Sequence, residues 1–401
     1  MKNLLKENHK IILWGCGNTA REFYAKYGNS LNIIGFLSNN VKEKVFSPDN
    51  DIIFEVKRPV PKCKEGLGDL IIICSIAKRE IEEQLMLLGY EPFVDFIDFQ
   101  MAAQMLANKE IALFYGVCHL RAIKEALMTS KVFSDSYEAF FVANYFTLSA
   151  YDVKRLEYLS KNCKLFIYGQ SMDARDYRMN QTLMVNLGKN VTVLAVPVIA
   201  FGTYFSQIKR PFNRMNRFAV KCEGYDYTPF SYEDSFINQC IDEGLSTTDI
   251  IRKVTDENVY DRDKTVELFT QELKRIKFQE STTDISISDY IKDNYQKIRL
   301  FRNEAHMENE VVYQYASQIL HKIGMPVSFD IQSDSFFFCS QHLIYPCAAE
   351  ALGLEWDVTK EKLSLYTYKG WRIVSFQEYL MEYIEYCTKI REMKYCGLLP
   401  E

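Results

Sequence analysis

Near its start the chain runs through Lys10-Ile11-Ile12-Leu13-Trp14, turns at Gly15-Cys16-Gly17-Asn18-Thr19-Ala20, continues in a helical pattern to about Tyr27, and returns to an apolar run at Asn32 to Leu37. Two parallel strands need a crossover of this kind, so the segment predicts a βαβ unit with helices packed on a sheet. The turn is a G-x-G-x-x-A fingerprint. Its glycines permit a tight bend and let a pyrophosphate approach a helix N-terminus closely. Gly15, Gly17 and Asn18 are thus candidate contacts for a nucleotide or nucleotide sugar.

The alternation continues with a strand at Asp69 to Ser75, a helix from about Lys78 to Leu88 stopped by Gly89, and a strand at Pro92 to Ile97. Strands alternating with helices predict a parallel, Rossmann-like sheet, so the fold class is α/β. A nicotinamide-binding unit ends its second strand on a carboxylate that holds the ribose hydroxyls. Here that place reads Phe36-Leu37-Ser38-Asn39-Asn40, with no acidic group. Met101 to Lys109 reads as a short helical and polar connection, giving two expected domains, 1–105 and a larger helix-rich α/β domain over 106–401.

A chain of 401 residues, 48% hydrophobic and 25% charged, has enough apolar material for two cores. Its net charge of -5 gives no electrostatic footprint for nucleic acid. The N-terminus lacks the apolar core of a secretory signal. The 11 cysteines are scattered, odd in number and without a Cys-x-x-Cys pair. That usage fits free thiols in a reducing cytoplasm, with neither a disulfide framework nor a zinc site. The uncharged stretch between Lys189 and Lys209 has the length of a membrane span, but its β-branched residues, Pro197 and Gly202 predict a buried strand and a loop instead.

The second constraint is Ile111-Ala112-Leu113-Phe114-Tyr115-Gly116-Val117-Cys118-His119-Leu120, an apolar strand ending in Gly-x-Cys and passing into a helical pattern. Cys118 is expected in the first turn of a helix, where backbone N–H groups and the helix dipole favour a thiolate; the alternative is a small core hydrophobe. His119 is its neighbour, and adjacent helical residues do not face each other, so it reads as a pocket or structural residue. Arg302-Asn303-Glu304-Ala305-His306 supplies a candidate base, His306, or else a surface residue capping the helix expected over Glu308 to Gly324. His342 is the reserve base. At the end of the strand Lys164 to Tyr168 stands Gly169-Gln170-Ser171; Ser171 lacks a Gly-x-Ser-x-Gly elbow, and Asp173, Arg175, Asp176 and Arg178 read as a solvated face.

Lys209, Arg210, Arg214, Arg217 and Lys221 form a basic run interleaved with Phe212, Met215 and Phe218. Phosphates need such cations and an adenine needs such apolar surface; a solvated loop is the plainer alternative. Farther on, Ser375-Phe376-Gln377-Glu378 is a capping box opening a long helix to about Tyr395, and Tyr345 to Leu354 reads as a loop entering a helix with a Gly stop.

On these residues the first hundred positions resemble the small Rossmann-like modules of bacterial surface-sugar enzymes, with Ser38 standing where their pattern carries an acidic residue. From Glu110 onward the chain resembles the WcbI-type polysaccharide biosynthesis proteins, assigned as acetyltransferases of bacterial capsule loci. Their opening Gly-Asn-Cys-Gln motif stands here as Gly116-Val117-Cys118-His119. The resemblance implies coenzyme A or acetyl-coenzyme A as acyl donor, placed on the basic run and near Gly116 and His119, and a glycan or sugar nucleotide as acceptor. It also implies a Cys118, His306 and Asn303 constellation, with Gln170 donating to an oxyanion. The expected activity is acetyl transfer to a sugar hydroxyl. The alternatives are an acyl-ester hydrolase using the same site, or a nucleotide-sugar or NAD-dependent oxidoreductase or epimerase using the N-terminal fingerprint.

Overall fold

The computed structural model describes residues 9–40, 45–48, 52–62, 68–107, 109–144, 149–170, 184–211, 232–256, 258–367 and 370–395, with residues 5 and 230. The architecture is mixed α/β. The first elements in chain order are β1 (Ile11–Trp14), α1 (Asn18–Tyr27), β2 (Ile33–Leu37), β3 (Val45–Phe46), β4 (Phe54–Lys57), β5 (Leu70–Ile73), α2 (Lys78–Leu87), β6 (Phe96–Asp98) and α3 (Phe99–Ala107). The strands form one sheet ordered β3-β4-β2-β1-β5-β6, in which only the edge pair β3–β4 is antiparallel among the registered pairs. Every residue of β1 and β5 is buried, which is why both read as unbroken apolar runs instead of alternating ones.

The predicted turn stands between β1 and α1. Gly15 has φ +136°, and a Cβ there would lie 2.2 Å from the carbonyl oxygen of Cys74, so only glycine fits. Gly17 caps α1 without a side-chain hydrogen bond. The strand expected at Pro92 to Ile97 is shorter and shifted, because Phe93 adopts φ 61° and Glu91 to Asp95 close a turn through Asp95 N–H donating to Glu91 O. Helix α3 is less polar than expected: Met101, Ala102 and Gln104 are buried.

Next come β7 (Glu110–Gly116), α4 (Cys118–Met128), α5 (Lys131–Ser136), β8 (Tyr137–Ala143), α6 (Ala150–Asn162), β9 (Leu165–Gln170) and β10 (Thr192–Pro197), with a sheet ordered β10-β9-β7-β8. Two short strands, β11 (Ile208–Pro211) and β12 (Tyr232–Asp234), precede α7 (Ser235–Asp242), α8 (Thr247–Asp256), α9 (Arg262–Glu280) and α10 (Ser288–Asn294). The chain then forms β13 (Phe301–Asn303), β14 (His306–Met307), α11 (Asn309–Lys322), α12 (Pro346–Leu352), the hairpin β15 (Lys362–Thr367) and β16 (Gly370–Ser375), and α13 (Phe376–Tyr395). Both C-terminal signals are present: Ser375 and Glu378 exchange capping hydrogen bonds, and Gly353 ends α12 at φ 66°.

The chain falls into two compact units that do not meet at one position. One comprises residues 1–113, 135–166 and 182–191, and the other 114–134, 167–181 and 192–401. The sequence gives 105/106 as a single boundary, whereas the first unit also takes back α6. The reason is Tyr151, which packs with Trp14, Ile73 and Phe96 and exchanges hydrogen bonds with Asp98, accepting from its N–H and donating to Oδ2, both at 2.9 Å. The stretch between Lys189 and Lys209 contains β10 and a 3-10 turn at Thr203–Phe205, and no helix among the described residues is long and apolar enough to cross a membrane.

Candidate functional site

Within the second unit, β7 ends at Gly116 and α4 begins two residues later at Cys118. A Cβ on Gly116 would come within 3.3 Å of Gly169 N, and one on Gly169 would lie 2.8 Å from Val198 Cγ2 and 3.0 Å from Leu120 Cδ2. Glycine at both places lets the ends of β7 and β9 and the first turn of α4 close to contact. Cys118 rides on that turn. The cap residue Val117 makes no side-chain hydrogen bond to the helix.

Facing Cys118 is the β13–β14 hairpin. Cys118 Sγ lies 3.4 Å from His306 Nε2, and His306 Nδ1 lies 2.9 Å from Asn303 Oδ1. Asn303 is fully buried, and its amide is oriented by its neighbours: Oδ1 accepts from Ala305 N–H at 3.0 Å, while Nδ2 donates to Ser340 O at 3.4 Å and to Cys339 Sγ at 3.5 Å. With Oδ1 turned to the ring, Nδ1 must carry the imidazole proton, which leaves the Nε2 lone pair directed at the thiol. Arg302 fixes the hairpin from behind, donating to Glu308 Oε2 at 3.0 Å and to Cys339 O at 3.1 Å.

Burial sets the protonation states. It is the largest influence on His306, which is held down at about 3, with nearby His119, His342, Arg302 and Arg121 acting in the same direction. Burial also pushes the Cys118 thiol above its ordinary value, against the opposing pull of the Arg121 guanidinium and of backbone N–H groups. The expectation of a thiolate stabilised by the helix N-terminus is corrected here: desolvation outweighs the dipole, and the resting pair is thiol and neutral imidazole.

The other expected residues fall as follows. His119 is buried, its Nδ1 is 3.9 Å from Cys118 Sγ, its ring lies 6.4 Å from that of His306, and burial lowers its value to about 4. Although adjacent in sequence, the two side chains approach at the start of the helix. Gln170 ends β9, and its carbonyl accepts from the Gln279 side chain at 2.9 Å; among the described residues no hydrogen bond joins Gln170 to Cys118. His342 is buried, its Nδ1 3.7 Å from Glu304 Oε2, and among the described residues no hydrogen bond joins it to Cys118. Lys209 and Arg210 lie in β11, whereas Ser171, Asp173, Arg175, Asp176, Arg178, Arg214, Arg217 and Lys221 lie outside the described residues. Gly15, Gly17 and Asn18 form the β1–α1 turn, and Ser38 Oγ accepts from Asn40 N–H at the end of β2.

Sequence patterns missed three contributors. Phe337 packs 4.8 Å from the His306 ring and 5.9 Å from that of His119; Gln279 also bonds Val198 O at 3.0 Å; and Arg121 acts electrostatically on both Cys118 and His306. Only Arg121 carried a signal, since three residues after Cys118 on a helix is the same face.

The fold and the site define an α/β protein with a cysteine, histidine and asparagine hydrogen-bonded in series where a strand hands over to a helix. The family model for the polysaccharide biosynthesis enzyme WcbI matches residues 111–328, more than half of the chain, and the chain belongs to that family. Among solved structures it is similar to one described as WcbI, a novel polysaccharide biosynthesis enzyme, native and without a disulfide bond between coenzyme A and a cysteine. The identity is 17%, the match covers 70% of this chain and 91% of that one, and the TM-score is 0.56. No curated protein matches.

Proposed function

We propose that this polysaccharide biosynthesis enzyme transfers an acyl group, acetyl in the first instance, from a coenzyme A thioester to a sugar hydroxyl. The observation that carries the reading is the chain Cys118 Sγ to His306 Nε2 to Asn303 Oδ1. The similar WcbI structure, described in terms of coenzyme A and a cysteine, supports the donor class. Cys118 is partly exposed, which gives a thioester access to Sγ.

His306 Nε2 takes the Cys118 proton as sulfur attacks the thioester carbonyl. The bond to the coenzyme A sulfur breaks, and that sulfur leaves with the proton from the imidazolium. In the second half the sugar hydroxyl gives its proton to His306 and attacks the acyl carbon, the bond to Cys118 breaks, and the thiol is re-formed. Asn303 keeps the ring in the needed tautomer and stabilises the imidazolium as a hydrogen-bond acceptor, the role of the third group in such triads. The N–H groups opening α4 and the Gln170 amide are the donors available for the oxyanion.

The test is mass spectrometry of the protein mixed with acetyl-coenzyme A. An acetyl adduct on the Cys118 peptide, lost in His306→Ala, is expected. Full transfer by Cys118→Ala would overturn the covalent route and leave direct attack by the sugar hydroxyl.

A further inference from the structure

A groove of about 990 Å³ opens within the second unit along α4 from Arg121 to Met128 and on past Lys131 and Ser134 of α5. Arg121 lines it, one helical turn after Cys118, and its guanidinium lies 5.2 Å from the Phe338 ring. The run Phe336-Phe337-Phe338-Cys339, a series of bends outside any strand that is closed by Cys339 N–H donating to Phe337 O, joins groove and site. Phe336 and Phe338 line the groove, whereas Phe337 packs on His306 and Cys339 Sγ accepts from Asn303 Nδ2. The wall is firm: Asn309 Nδ2 donates to Gln332 O and Asp334 O, and its Oδ1 accepts from Phe336 N–H. A second cavity of about 450 Å³ adjoins it, sharing Gln332 and Ser335.

The lining has a defined chemistry. Phe338 and Trp371 line it with aromatic rings, linked through Tyr366 with ring centroids 5.6 and 4.9 Å apart, and the Arg302 guanidinium lies 5.1 Å from the Trp371 ring much as that of Arg121 does from Phe338. Glu125, Asp330 and Asp334 outnumber Arg121 and Lys131. Pyranose rings present C–H faces that stack on aromatics and paired hydroxyls that donate to carboxylates. A pyrophosphate would meet repulsion from the three carboxylates. We infer that this groove binds the acceptor saccharide, a neutral sugar chain whose reacting hydroxyl is delivered past Arg121 to Cys118. The inference rests on the acyl-transfer reading for the role of acceptor, but not for the binding of sugar.

The experiment measures saccharide binding to the Cys118→Ser protein by saturation-transfer NMR, with cellobiose, lactose and diacetylchitobiose as probes. Acetylation of Cys118 in the unsubstituted protein is followed separately. Binding of at least one probe, weakened about tenfold by Trp371→Ala or by Phe338→Ala, is expected. Phe338 is 55% exposed, so its replacement leaves the fold intact should Trp371→Ala fail to fold. Absence of binding by all three probes, binding unmoved by both substitutions, or displacement of the sugar by coenzyme A would each overturn the groove assignment. If sugar binds while Cys118 is never acetylated, the transfer reading fails instead, and the acceptor role fails with it.

Discussion

Asn303 Oδ1 and His306 Nδ1 lie 2.9 Å apart across the turn of a two-stranded hairpin, and this contact determines which imidazole nitrogen meets the thiol of Cys118. The amide itself is held by the Ala305 N–H and the Ser340 carbonyl. Replacing Asn303 by Ala should lower kcat on the order of 10²-fold or more, in line with the loss of an oriented general base, while KM for the thioester changes little. Steady-state kinetics with acetyl-coenzyme A checks this. An unchanged kcat would remove Asn303 from the site's chemistry.

Neutral His306 and a raised Cys118 thiol predict a pH profile. Burial holds His306 down at about 3 and the Cys118 thiol above its ordinary value, so no ion pair forms at neutral pH and the thiolate fraction grows only as pH rises through the thiol's own range. Iodoacetamide labelling of the Cys118 peptide should therefore be slow at neutral pH and climb steadily in alkali. A labelling plateau already reached near pH 5 would show a thiolate–imidazolium pair and contradict the burial argument.

Gly169→Ala sets a Cβ 2.8 Å from Val198 Cγ2 and 3.0 Å from Leu120 Cδ2. Overpacking of this kind costs about 1–3 kcal/mol, and Leu120 belongs to the turn that carries Cys118. Urea unfolding should show that loss, and acetylation of Cys118 should slow by more than stability alone explains. An unaltered protein would mean the strand ends have slack.

Tyr151→Phe removes the hydroxyl that donates to fully buried Asp98, a cost of about 1–3 kcal/mol. Burial opposes the charge of Asp98, but Arg155 and Lys78 prevail and hold it below its ordinary 3.8. A depressed carboxylate contributes stability above its unfolded value and loses it as pH falls through the folded one, so the variant's deficit should stay level from about pH 5 to 8. Thermal unfolding across that window tests it; a deficit that vanishes at pH 8 would mean that Asp98 is not the affected partner.

Several elements were legible because their signal is local. Gly15 must bend where no side chain fits against Cys74, Ser375 and Glu378 cap a helix three residues apart, and Gly353 stops one. The strand ending at Gly116 and the helix opening at Cys118 follow from an apolar run meeting a 3.6-residue period. Asn303 and His306 were visible as a spaced pair, but their tie to Cys118 spans 188 positions and depends on packing that no local pattern encodes.

The sequence by itself determined the α/β alternation, the glycine turns and the places where Cys118, Asn303 and His306 stand in the chain, since these depend on period, propensity and side-chain volume near each residue. Only the tertiary structure decided that the three hydrogen-bond in series and that Tyr151 returns α6 to the first unit. It also decided that the thiol rests protonated. Desolvation depends on everything packed around a group, and at Cys118 burial outweighs the helix terminus that its own sequence supplies.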